Sequence, residues 1–152
     1  MKKPPASDTS LSFAPDPNAV HVLAVGSSEG LPQLRRILGH TRWFLQQATT
    51  QADAVALLEH HASVVLISEA TLPDGDWKTL LSFAQQLPVP PPLLVMAPHA
   101  DECLWMDVLQ SGGYNLLGLP LDPNEVFRSV SMAWLQLRQL ANSRSRIRSA
   151  SL

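Results

Sequence analysis

A single cysteine, Cys103, stands among 152 residues, so no disulfide can close within the chain, and a reducing compartment, the cytoplasm, is the expected location. Charge is sparse too: 16% of residues are charged and the formal net charge is -2, which argues against a nucleic-acid binder with a strongly basic face. No apolar run approaches the roughly 18 residues that span a bilayer, and Lys2 and Lys3 lead into proline and serine rather than the apolar core of a secretion signal. Gly26-Ser27-Ser28-Glu29-Gly30 lies at a strand-to-helix turn but lacks both the Gly-x-Gly-x-x-Gly spacing and the lysine of a P-loop. His60 and His61 are adjacent, diverge by about 100° on a helix, and make a poor metal pair. Cys103 has no base beside it in sequence. The residues therefore mark no metal, no cofactor and no catalytic group.

What is present is organised around Val64 to Trp77. Val64, Val65, Leu66 and Ile67 form an apolar, β-branched run of the kind buried on both faces of a parallel sheet. The run stops at Glu69, just past the carboxyl end of the strand, where open α/β sheets place their ligand crevices. Leu72-Pro73-Asp74-Gly75 behind it is turn chemistry. Before this stretch, residues 1–18 carry Pro4, Pro5, Pro15 and Pro17 among polar groups and read as a flexible leader. Val20 to Val25 is a buried strand, with Ser28 a plausible N-cap for a helix carrying Leu31, Leu34, Ile37 and Leu38 and stopping at Gly39. Trp43 to Gln47 is a weaker strand, and Gln51 to His60 a helix.

After the central strand the spacing predicts a helix from about Trp77 to Leu87, ended by Pro88, Pro90, Pro91 and Pro92. That proline run reads as a rigid connector in preference to an SH3 ligand. A strand at Leu93 to Met96, a helix at Asp101 to Ser111 and a short strand at Leu116 to Gly118 follow. Asp122 can cap a final helix with Pro123 at its first position. Its stripe of Val126, Val130, Trp134, Leu137 and Ala141 is the core face near Val126 and Val130, with a helical partner plausible beyond Trp134. Residues 142–152, with Arg144, Arg146 and Arg148 among serines, read as a basic solvated tail. Five strands alternating with five helices over residues 19–141 make one domain: a flavodoxin-like, doubly wound (βα)5 sandwich with parallel strand order 2-1-3-4-5.

From Val20 to about Leu140 the chain resembles the receiver domain of bacterial two-component response regulators. Two blocks carry the resemblance: Glu69-Ala70-Thr71-Leu72-Pro73-Asp74-Gly75, similar to the family's phosphoacceptor segment, and Gly112-Gly113-Tyr114-Asn115-Leu116-Leu117-Gly118-Leu119-Pro120-Leu121-Asp122-Pro123-Asn124-Glu125, similar to its Gly-Ala-x-x-Tyr-Leu-x-Lys-Pro-Phe-x-Pro-x-Glu block. The resemblance implies a phosphoacceptor position at Glu69 and a degenerate pocket around it. Gly26 and Ser27 stand where two acids hold Mg²⁺, Ala97 stands for the hydroxyl residue, and Leu119 for the lysine. The aromatic switch position aligns with Leu116, and Tyr114, two residues earlier, is expected on the same side of the strand. The resemblance also implies a cis Leu119-Pro120 bond and no divalent ion beside Glu69.

Phosphoryl transfer needs an aligned nucleophile and neutralised equatorial oxygens. With cation, lysine and hydroxyl all replaced, the expected function is that of a non-enzymatic pseudo-receiver working through protein contacts. Glu69 either imitates a phosphorylated state or survives at the mouth of a former pocket, solvated or accepting bonds from Ser27 and nearby amides. The expected contact surface, for a partner or a homodimer, is the face of the fourth helix, fifth strand and fifth helix, with Trp105, Tyr114, Val130 and Trp134. Trp105 either packs on the sheet or anchors a partner. Two alternatives stay open: phosphorylation at Glu69 or at another carboxylate such as Asp74, and small-ligand binding by a flavodoxin-like domain. The chain reads equally as a free-standing module and as a piece of a larger regulator.

Overall fold

The computed structural model of the protein describes residues 20–60 and 64–150, those from 143 onward as backbone only. The expected leader at 1–18 and His61 lie outside the described residues.

Short apolar runs form the strands and the segments between them form the helices. In chain order the elements are β1 (His21–Val25), α1 (Gly30–Leu38), β2 (Phe44–Ala48), α2 (Gln51–His60), β3 (Val65–Glu69), β4 (Thr71–Leu72) and β5 (Gly75–Asp76). They continue with α3 (Trp77–Ala84), β6 (Leu93–Ala97), α4 (Glu102–Ser111), β7 (Asn115–Gly118) and α5 (Pro123–Ala150). Five strands make one sheet in the order β2-β1-β3-β6-β7, every neighbouring pair parallel. Counted over those five, the order is the expected 2-1-3-4-5, with the carboxyl ends of β1 and β3 side by side at the centre.

Alternation along each strand divides the core into two layers. Val65 and Ile67 of β3 face α1 and α5, joining Leu34, Ile37, Val126, Val130, Ala133, Trp134 and Leu137. Val64 and Leu66 face the other way, toward Leu58 of α2, Leu80 and Leu81 of α3 and Val108 of α4. Glu69 is two residues beyond Ile67, so the same alternation aims its side chain at the layer that holds α1.

Several expectations need correction. Ser28 does not cap α1: the residue before the helix is Glu29, in helical conformation and with no side-chain cap bond. The third helix ends at Ala84 rather than Leu87, because Gln86 and Leu87 bond back to Phe83 and Ala84 in a tightened last turn. The Leu72-Pro73-Asp74-Gly75 turn closes a two-residue antiparallel hairpin, β4 with β5, that the sequence reading leaves as a turn. The segment expected as a tail from 142 continues α5 as helix to Ala150.

Candidate functional site

The site is built where β1 and β3 end. Val25 of β1 pairs with Ser68 of β3, so the next residues, Gly26 and Glu69, arrive together. Glu69 is only 4% exposed. Its Oε1 accepts the Ser27 N–H at 3.0 Å, the Ser28 N–H at 3.0 Å and the Ser28 hydroxyl at 2.8 Å. Its Oε2 accepts the Ser28 N–H and the Leu31 N–H, each at 3.2 Å. The carboxylate thus supplies the acceptor that the first turn of α1 lacks, and Ser28 becomes a donor to it instead of a cap. Of the two fates expected for a surviving Glu69, solvation gives way to bonding with Ser27 and its neighbours.

Gly26 makes this placement sterically possible. A Cβ there would lie 2.3 Å from the Glu69 Cδ, so any side chain at position 26 and this carboxylate pose exclude each other. Gly30 is nearly as tight, its missing Cβ 3.2 Å from Glu69 Oε2 and 3.3 Å from the Met96 sulfur. The extra methylene of glutamate therefore carries the carboxylate into the room left by Gly26.

The donor set tests whether the pocket suits the divalent cation that the resembled family holds there. A hard cation is held by oxygen acceptors, whereas Glu69 is surrounded by three N–H groups and one O–H that point at it. Gly26 adds no oxygen from a side chain. The residues present do not fit such an ion, and among the described residues no group of three or more His, Cys, Asp or Glu is gathered to hold a metal.

The other pocket positions separate. Ala97 is buried in the layer facing α2, α3 and α4, while Leu119, half-buried, packs against the α1 and α5 layer. They remain linked by the backbone, the Leu119 N–H donating to the Ala97 carbonyl at 3.0 Å. The Leu119-Pro120 bond is cis, as the resemblance implies. The alkyl side chain at position 119 joins the core and brings no cation to Glu69.

Asp74, in the hairpin turn five residues after Glu69, is a second carboxylate with its own task. Its Oδ1 and Oδ2 accept the N–H groups of Gln51 and Ala52 at 2.8 and 3.0 Å, capping α2. Those two bonds hold its carboxyl below the usual aspartate range. The end of β3 and the turn after it thereby clasp the first turns of two helices, α1 through Glu69 and α2 through Asp74.

On the expected contact surface, Trp105 is exposed at 41%, and Met106 and Leu109 of α4 are exposed beside it. Trp105 lines a shallow depression of about 330 Å³ with Leu116, Gly118 and Glu125. Met132 and Leu135 of α5 are exposed as well. Val130 and Trp134, expected on this surface, are instead buried. Trp134 stacks on His21 with ring centroids 5.8 Å apart, so its stripe position serves the core. Tyr114 packs on the α1 and α5 layer, while Leu116 lies in the opposite one. Tyr114 precedes β7 and follows a left-handed Gly112, so strand alternation does not yet govern it.

No family model matches the chain. A DNA-binding transcriptional regulator, NtrC of Proteus hauseri, is 25% identical over 109 residues, 64% of this chain, and the chain spans under a quarter (23%) of that relative's length. Among solved structures, a response regulator from Chloroflexus aurantiacus is 20% identical with a TM-score of 0.72, covering 78% of this chain and 99% of that one. The signal receiver domain of an HD domain-containing protein from Pseudomonas fluorescens is 26% identical with a TM-score of 0.67, covering 80% of this chain and 99% of that one. The five-stranded parallel sheet, its strand order and its flanking helices are thus those of the flavodoxin-like receiver-domain fold.

Proposed function

We propose that the chain is a receiver-type signalling module that acts by protein contact, independently of phosphorylation and without enzymatic turnover. One observation carries the reading: the carboxylate at the phosphoacceptor position is turned inward and saturated by four donor groups of the β1–α1 turn. A nucleophile so held has no lone pair directed at an incoming phosphoryl group, and it lacks the charges that would stabilise the transferring oxygens. Asp74, in the turn that follows, is engaged in capping α2. Incubation with Mg²⁺ and a small phosphodonor, followed by intact-mass measurement, is expected to give no phosphorylated species. A stoichiometric phosphoryl adduct would reject the reading.

Contact is proposed through exposed apolar side chains of α4 and α5, the helices that pack on β7, among them Trp105, Met106 and Met132. Exposed aromatic and methionine side chains beside a shallow depression suit an interface. A second copy of the chain is the simplest occupant to test. Sedimentation across a concentration series is expected to show self-association that Trp105→Ala weakens; a strictly monomeric protein would leave this face to a different partner.

A further inference from the structure

We propose that Glu69 is a latch, a tethered internal anion that keeps the β1–α1 turn fastened to the central strand and holds the pocket in one closed form; the proposal deepens the phosphorylation-independent reading and rests on it. Three independent features converge on this device. The donors are arranged around an anion: backbone N–H groups of Ser27, Ser28 and Leu31 and the Ser28 hydroxyl all meet the two carboxylate oxygens, at 2.8 to 3.2 Å. The room is specific, because Gly26 and Gly30 are the residues whose missing side chains leave space for the carboxylate. Glu69 ends β3 in register with Met96, and the hairpin turn that follows is pinned in turn by Asp74 on the Gln51 and Ala52 amides, so the segment from Glu69 to Asp74 is held at both ends.

In the alternative, unlatched form the carboxylate leaves, and the first turn of α1 is left with unpaired N–H groups in a half-buried site. Such groups are costly to leave without an acceptor, so the latched form dominates. The latch assigns Gly26 a positive role. It is the residue that lets Glu69 reach α1, and replacing it should act by the same route as removing Glu69.

Backbone amide exchange on the full chain at neutral pH tests this. Glu69→Ala is expected to speed exchange at Ser28 and Leu31 on the order of tenfold or more, since these amides lose a charged acceptor. Gly26→Ala is expected to do the same in the native background, its Cβ displacing the carboxylate, yet to add little in the Glu69→Ala background. Unchanged exchange at both amides in Glu69→Ala, or effects of the two substitutions that simply multiply, would overturn the latch. If Glu69→Ala fails to fold, Glu69→Gln keeps the side-chain volume but turns a donor toward donors, and the same two amides decide the matter. Either failure is distinguishable from failure of the functional reading, which depends on the intact mass of the unmodified chain.

Discussion

At Asp74 a short exposed carboxylate spans the amides of Gln51 and Ala52, and its titration is lowered by those bonds. A carboxyl whose folded pKa lies below its free value stabilises the fold above that free value, 3.8 here, and the benefit is lost as pH falls through the folded pKa. Asp74→Asn should therefore be less stable than the native chain at neutral pH, with the gap closing in strong acid; urea midpoints measured over that range check it. A gap of constant size would detach the capping bonds from the titration. Trp134 and Trp105 make a second contrast. Trp134→Ala should lower stability by about 3 to 5 kcal/mol, as expected for a buried tryptophan in contact with the core, whereas exposed Trp105→Ala should change it by no more than about 0.5 kcal/mol in urea unfolding. Both sit on helices with apolar neighbours, which is why the sequence does not separate them. Likewise, the position of Glu69 is readable from the strand that ends there, but its partners are mostly backbone amides, which leave no mark in the order of side chains. Gly26 reads as a missing acid; that its bare backbone makes room for Glu69 emerges only when two strands whose paired residues are 43 apart in the chain are set side by side.

Between elements, α1 is tied at its start to β3 by Glu69 and, one turn on, to the loop ahead of α5, where Gln33 Oε1 accepts the Leu121 N–H at 2.8 Å. Gln33→Ala leaves that amide without its acceptor and should cost about 1 kcal/mol, seen as a lower urea midpoint and faster exchange at Leu121. Unaltered exchange there would show that the contact carries no weight. The five strands and five helices follow directly from apolar runs alternating with helical periodicity, and β1, β3 and β6 match within a residue or so. The hairpin of β4 and β5 escapes that pattern because two-residue strands are too short to show a period. The extension of α5 escapes it for a different reason: past Leu137, the last buried residue of its stripe, helix persists among serines and arginines with no apolar repeat to announce it.

Taken as a whole, the molecule is a receiver-type frame whose central crevice is filled from within. A ligand that binds the folded state raises its melting temperature by mass action. Millimolar Mg²⁺ should leave the thermal midpoint of the native chain unchanged beyond an ionic-strength control, and a saturable rise would contradict the polarity of the donor set around Glu69. The strand order was recoverable because parallel neighbours joined by helical crossovers allow few arrangements. Where the anion would sit was not, since that depends on a single methylene. An acceptor carried on the chain itself is present at a fixed effective concentration, whatever the solution contains. Occupancy of the cradle at the start of α1 is therefore indifferent to dilution, and the contact is made once the polypeptide has folded.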